Sequence, residues 1–212
     1  MAGIQETRRM VVAMVAFGLV LMAATGPARA AGGDGLRAAL AAVDRLGNEA
    51  VAILRDAGLE PTARQAALAE LVHRRFALER IGRLALGRHW KAADPAEQAA
   101  YAALFERYVL ATYARLVDFY TDQRLEVAAA TPVKGGVMVS SQLVGTRTAA
   151  IDWRLVEDGQ DWVVVDVVVE GVSMLLTQRT EFASIIERNG GSIRPLLAHL
   201  EQRVALADRP PG

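Results

Sequence analysis

The chain has 212 residues, with 24 basic and 24 acidic side chains and no cysteine. This balanced charge provides no basic excess for binding a phosphate backbone, so the composition argues against a nucleic-acid-binding protein. The absence of cysteine excludes disulfides, thiol catalysis and thiolate metal sites, and the fold must therefore be stabilised by core packing.

The first 30 residues have the pattern of a cleavable signal peptide. Arg8 and Arg9 precede an uncharged apolar stretch, Met10–Ala24, and Ala28-Arg29-Ala30 fits a small-x-small cleavage site. The stretch is short for a membrane-spanning helix, which needs about 20 residues. A retained N-terminal anchor is the alternative, and the paired arginines leave the export route open between the general and twin-arginine systems. We expect export, with cleavage near Ala30.

Helices are predicted in the first half of the remaining chain. Apolar residues at three-to-four spacing predict three of them, at Asp34–Ala57, Pro61–Phe76 and Leu78–Leu86. Asp94-Pro95-Ala96-Glu97 then has the features of a capping box and predicts a long helix to about Tyr120. We expect the inward stripe of this helix to consist of Tyr101, Leu104, Phe105, Tyr108, Thr112, Leu116 and Phe119.

Beyond Thr121 the apolar period changes to two, which is typical of strands. Four strands are predicted, at Arg124–Ala130, Val137–Val144, Thr148–Val156 and Trp162–Glu170. Asp158-Gly159 suits a tight hairpin between the last two. From Trp162 to Val169 only Asp166 is polar, which indicates a strand covered on both faces by a helix, a partner or a bound apolar ligand.

Two helices, Thr180–Arg188 and Ile193–Val204, are predicted after the strands, followed by a loose tail, Asp208–Gly212. The order of elements predicts an α+β protein. We expect one domain over residues 31–207, with helices packed around a twisted four-stranded antiparallel sheet. Aromatic residues concentrate in the helix–sheet portion, where they either fill a core or line an elongated pocket.

The chain lacks a recognisable catalytic or metal-binding pattern. His73, His89 and His199 are scattered, and no nucleophile elbow, phosphate-binding loop or dinucleotide fingerprint is present. Asp166 and Ser173 could act as base and nucleophile in an envelope hydrolase. We favour a structural role, in which Asp166 binds an arginine or backbone amides and Ser173 satisfies a turn. The sequence therefore predicts no catalytic residue, no metal site and no enzyme.

Two segments carry a family resemblance: Leu84–Pro95, LALGRHWKAADP, and Asp166–Met174, DVVVEGVSM. Both resemble the MlaC family of periplasmic phospholipid-binding proteins, also called the toluene-tolerance auxiliary family. The similarity extends through Tyr101–Tyr120, the hairpin with Trp153 and Trp162, and Thr177–Gly191. It implies a fold like that of nuclear transport factor 2 (NTF2-like), in which helices and sheet enclose an apolar pocket.

The resemblance also implies a function in the periplasm. The expected cargo is phospholipid, with no cofactor, carried between the inner and outer membranes to maintain outer-membrane lipid asymmetry. The expected partners are an inner-membrane ABC transporter with its MCE-type lipid-binding ring protein, and an outer-membrane lipoprotein complex. A hopanoid-linked lipid carrier of the same family and a non-catalytic envelope adaptor with a filled core are the alternatives.

On this basis we expect lipid contacts from three groups of residues. The helix wall would consist of Leu104, Tyr108 and Leu116. The sheet wall would consist of Trp153, Val165, Val167 and Val169. The mouth would be formed by Val172, Met174 and Leu175.

Overall fold

The structure is a computed structural model that describes residues 32–114, 123–146 and 148–207. The described helices are α1 Gly33–Arg55, α2 Pro61–Arg75, α3 Leu78–Leu86, α4 Arg88–Ala92, α5 Pro95–Ala114, α6 Met174–Arg188 and α7 Arg194–Ala207. The described strands are β1 Arg124–Val133, β2 Gly136–Val144, β3 Ala149–Asp158, β4 Asp161–Val169 and β5 Val172–Ser173. The signal peptide, the stretch of the long helix beyond Ala114 and the C-terminal tail are predictions that lie outside the described residues.

The α+β class is confirmed, but the sheet has one more strand than predicted. The five strands form an open antiparallel sheet in the order β1-β2-β3-β4-β5. The additional strand, β5, is only two residues long and pairs with Val168 and Val169 at the end of β4. Glu170 and Gly171 form the turn between β4 and β5 with φ values of 50° and 78°. A two-residue hairpin turn of this kind requires positive φ, and glycine adopts it without strain.

The capping box is confirmed at the start of α5. The backbone N–H of Glu97 donates to Asp94 Oδ1 over 2.8 Å, and the N–H of Asp94 donates to Glu97 Oε2 over 3.3 Å. These bonds satisfy two of the amides that a helix start leaves unpaired. Four residues of the predicted inward stripe of α5 are buried, namely Tyr101, Leu104, Phe105 and Tyr108.

Helix α6 starts six residues earlier than the sequence pattern predicted, because Ser173 and Asp166 cap it together. Ser173 Oγ accepts from the N–H of Leu176 over 3.0 Å and donates to Asp166 Oδ2 over 2.6 Å. Asp166 Oδ1 also accepts from the N–H of Leu175 over 3.0 Å. The structural interpretation of this pair is therefore confirmed. Asp166 binds a backbone amide, and Ser173 caps α6 where the chain passes from β5 into the helix.

Two clusters of buried apolar residues hold the fold together. The helical cluster is built from α3, α5, α6 and α7 and includes Tyr101, Phe105 and Phe182, whose rings pack within 6.3 Å of one another. The sheet cluster is built from α1, α2 and one face of the sheet and includes Val43, Val139 and Leu155. Strand β4 contacts α1, α2, α3 and α6. Helices therefore cover β4, which explains its nearly continuous apolar sequence.

A β-bulge interrupts β4 at Val165, a residue of the predicted sheet wall. Arg154 pairs with Asp166, whereas its neighbour Leu155 pairs with Val164, so Val165 is the extra residue. A bulge interrupts the alternation of side chains along a strand. As a result, Val164 and Val167 both belong to the sheet cluster, and Val165 lies outside it although simple alternation places it with Val167.

We predict that Ser173→Ala lowers the free energy of unfolding by about 1 kcal/mol, because it removes an N-cap side chain. It also leaves Asp166 without its hydroxyl donor. Urea denaturation followed by circular dichroism measures the change. Unchanged stability would show that Ser173 does not cap α6 in solution.

Candidate apolar binding cavity

A cavity of about 630 Å³ lies between the helices and one end of the sheet. Its volume falls within the range of about 300–1,000 Å³ that is usual for small-molecule sites. The described lining residues come from helices α1, α2, α5 and α7 and from strands β1, β2 and β3. Two more lie just after α2 and just before β1. Together they are Leu46, Gly47, Ala50, Val51, Leu54, Thr62, Gln65, Ala66, Leu68, Ala69, Leu71, Val72, Phe76, Arg107, Val109, Leu110, Ala111, Gln123, Leu125, Leu143, Ile151, Trp153 and Val204.

Small side chains on the facing helices help to keep this space open. Five of the described lining positions are glycine or alanine, namely Gly47, Ala50, Ala66, Ala69 and Ala111. At Gly47, a Cβ would lie only 2.9 Å from Leu125 Cδ2, so α1 makes a close approach to β1 there. The helices thus pack against the sheet at the edge of the cavity without filling its interior.

Four of the described lining residues are polar or charged, and they occupy two different environments. Thr62, Gln65 and Arg107 are exposed, which places an opening of the cavity between α2 and α5. Gln123 is only 7% exposed. The remaining lining is glycine or apolar, with Trp153 as its one indole. This arrangement suits an extended apolar ligand with a polar end near Arg107.

Hydrogen bonds behind the cavity wall hold the indole of Trp153. Its Nε1–H donates to Ser141 Oγ over 2.9 Å, and Ser141 Oγ donates to the carbonyl of Ile151 over 2.8 Å. Because the polar edge of the ring is already satisfied within the sheet, the rest of the indole is available as apolar wall.

Ion pairs join the two helices that form much of the wall. Glu49 on α1 pairs with Arg74 at 3.3 Å and also with Arg75, both in the last turn of α2. Burial raises the pKa of the Glu49 carboxyl, but the hydrogen bonds and positive charges of Arg75 and Arg74 outweigh it. The pKa therefore lies below its ordinary value of 4.5.

The two described residues of the predicted helix wall do not line this cavity. Leu104 and Tyr108 are buried in the helical cluster and are not among the lining residues. The hydroxyl of Tyr108 donates to Gln178 Oε1 over 3.1 Å, and burial followed by the charge of Glu181 raises the pKa of Tyr108. Leu116 lies outside the described residues. Their contacts with lipid stay predictions.

Among the predicted sheet and mouth residues, Trp153 lines the cavity. Val165 is buried at the bulge, and Val167 packs on the sheet cluster. Leu175 packs on the helical cluster. The other three, Val169, Val172 and Met174, are half-buried around the β4–β5 hairpin and the start of α6. None of these six belongs to the described cavity lining, and their lipid contacts also stay predictions.

Sequence reasoning missed the contribution of α1 and α2, which provide more than half of the described lining. Their amphipathic pattern predicted helices but gave no sign of what they would face. The available signal was the small residues on their inner faces, such as Gly47, Ala50 and Ala69.

The described residues provide neither a metal-binding cluster nor a membrane-spanning helix. Over residues 32–114, 123–146 and 148–207, no group of three or more histidine or carboxylate side chains is arranged to hold a metal ion. The described helices include none that is long and apolar enough to cross a membrane.

An α+β fold with an open, largely apolar cavity between helices and sheet defines a candidate binding protein for an apolar ligand. The MlaC protein family model matches residues 44–202, which is most of the chain, and the chain belongs to that family. A solved structure with the same fold is a phospholipid-binding protein from Ralstonia solanacearum, determined in complex with a phospholipid. It superimposes with a TM-score of 0.72 at 22% sequence identity, over 81% of this chain and 99% of the other.

We predict that the ion pairs of Glu49 contribute stability above about pH 4.5, and that this contribution is lost as the pH falls towards the lowered folded-state pKa. The reason is that the unfolded carboxyl takes up a proton before the folded one does. Thermal unfolding at pH 7 and pH 4 measures the loss. Glu49→Gln should show a smaller change over this interval than the wild type, and equal changes would contradict the assignment.

Proposed function

We propose that this protein is a lipid carrier that binds phospholipid in the cavity between α1, α2, α5 and the sheet. The single observation that carries the proposal is the 630 Å³ apolar cavity with an exposed polar edge. Smaller apolar cavities, of about 150 Å³, already stay dry and bind hydrocarbon in other proteins. Family membership and the phospholipid-binding relative of the same fold support phospholipid as the occupant.

Lipid transfer by such a cavity is energetically reasonable. Burying hydrocarbon contributes about 0.8 kcal/mol per CH₂ relative to water. A lipid that leaves a bilayer is already shielded from water, so the carrier needs only to match that environment. The apolar lining resembles the bilayer interior in this respect. The partner that receives the lipid then determines the direction of transfer.

Arg107 gives the opening a suitable charge for a phosphate group. It is the charged residue among the described lining residues, and it is exposed. Arginine binds phosphate through a planar fork of N–H donors. We propose that the acyl chains lie within the cavity and that the headgroup phosphate remains near Arg107.

Family membership together with the signal-peptide pattern supports a proposal for where the protein acts and with which partners. We propose that the protein is exported to the periplasm and moves phospholipid between the inner and outer membranes, in support of outer-membrane asymmetry. Its partners would be an ABC transporter with an MCE-type ring protein and an outer-membrane lipoprotein complex. A hopanoid-linked cargo is the alternative within the same family.

The other two hypotheses gain less support. A filled-core adaptor does not require an open apolar cavity of this size. An envelope hydrolase would use Asp166 and Ser173, but their polar atoms cap α6. Both observations support a binding protein.

We predict that Ala66→Trp weakens lipid binding about tenfold, which corresponds to about 1.4 kcal/mol, because the indole takes up space at the opening that the lipid would otherwise occupy. Ala66 lines the opening of the cavity and is exposed, so the change adds bulk with little disturbance of the core. Ala63→Trp is the matched control, since Ala63 is also exposed on α2 but is not among the lining residues.

Native mass spectrometry of the protein, purified without detergent and then incubated with liposomes, measures the lipid bound by each variant. Solvent extraction of the bound material identifies a diacyl phospholipid or a hopanoid. A wild-type protein that takes up no lipid would overturn the proposal. Equal loss of lipid in both tryptophan variants would show that this cavity is not the binding site.

A further inference from the structure

Gln123 places a polar group against an otherwise apolar part of the cavity. It immediately precedes β1 and is 7% exposed. It lines the cavity together with Leu125 of β1 and Leu143 of β2. A glutamine in such surroundings is costly unless its amide is hydrogen-bonded.

The carbonyl oxygen of this amide lacks a hydrogen bond. Oε1 is shielded from solvent and has no partner within the described parts of the chain. An unpaired buried acceptor costs about 1–3 kcal/mol. Arg64 Nε, Arg75 Nε and His89 Nε2 are also unpaired, but their residues are not among the described cavity lining. Among these four described side chains, Gln123 is the one whose missing partner a molecule in the cavity can supply.

The neighbouring backbone makes room for this side chain. A Cβ at Gly145 would lie 2.6 Å from Cγ and 3.2 Å from Cα of Gln123. Any side chain at position 145 would therefore displace Gln123. The glycine allows the amide to occupy its buried position beside the cavity.

We propose that Gln123 accepts a hydrogen bond from a hydroxyl group of the bound lipid and favours lipids that carry one. Acyl esters and an ionised phosphate diester offer acceptors only, so they cannot satisfy Oε1. A hydroxyl can come from the free glycerol hydroxyl of a monoacyl lipid or from a glycerol headgroup. This inference rests on the proposed function, because it requires lipid in the cavity.

Two matched lipid pairs distinguish the sources. One pair is monopalmitoyl glycerophosphocholine and the same lipid with its free hydroxyl methylated. The other pair is phosphatidylglycerol and phosphatidylmethanol, which have equal charge but differ in headgroup hydroxyls. Competition within each pair, read by native mass spectrometry, should show about a tenfold preference for the hydroxyl-bearing member of one pair. The pair that shows it identifies the source.

Gln123→Met should remove this preference while lipid is still bound, because methionine keeps the length of the side chain without the amide. Gln142→Met is the matched control, since Gln142 is exposed on β2 and is not among the lining residues. Gly145→Ala should also reduce the preference, because its added Cβ displaces the Gln123 side chain without changing the amide itself. Circular dichroism establishes that each variant is folded.

The outcomes separate this inference from the proposed function. A wild-type protein that binds none of the four lipids overturns both. Wild-type protein that binds lipid without preference in either pair overturns the role of Gln123 alone. A preference that persists in folded Gln123→Met also overturns it, and shows that another group recognises the hydroxyl.

Discussion

The capping interaction between Asp166 and Ser173 sets where the sheet ends and the C-terminal helices begin. These two side chains end the β4–β5 hairpin and start α6 through bonds to two backbone amides. Helix α6 then carries Phe182 and Ile186 into the helical cluster. Helices α1 and α2 pack on the face of the sheet that carries Val139 and Leu155.

The cavity follows from the way in which these two helices cover that face. Close packing occurs where Val43 and Leu71 pack within the sheet cluster and where Gly47 approaches Leu125. Beyond these contacts, small residues on α1, α2 and α5 leave space. The ion pairs of Glu49 with Arg74 and Arg75 join the two helices across their solvent side. A binding site of this kind gives up part of the packing energy that a filled core would contribute.

Much of the fold was predictable because local sequence patterns define its helices and strands. The capping box at Asp94, proline at the start of α2 and the change of period at β1 define elements through interactions within a few residues. The early start of α6 was missed because its cap pairs Ser173 with Asp166, which lies on another strand. Short α4 and β5 were missed since elements of two to five residues show no periodicity.

The predicted lipid contacts stay predictions, because the sequence alone does not place the cavity. The sequence by itself determined the α+β class and the resemblance to the MlaC family, and it favoured a structural role for Asp166 and Ser173. It could not determine which apolar residues face a cavity, since filling a core and lining a pocket need the same side chains. Only the tertiary structure decided that the bulge at Val165 interrupts the expected face of β4. It likewise decided that α1 and α2 enclose the space beside Trp153 and Gln123, because long-range packing sets which faces meet.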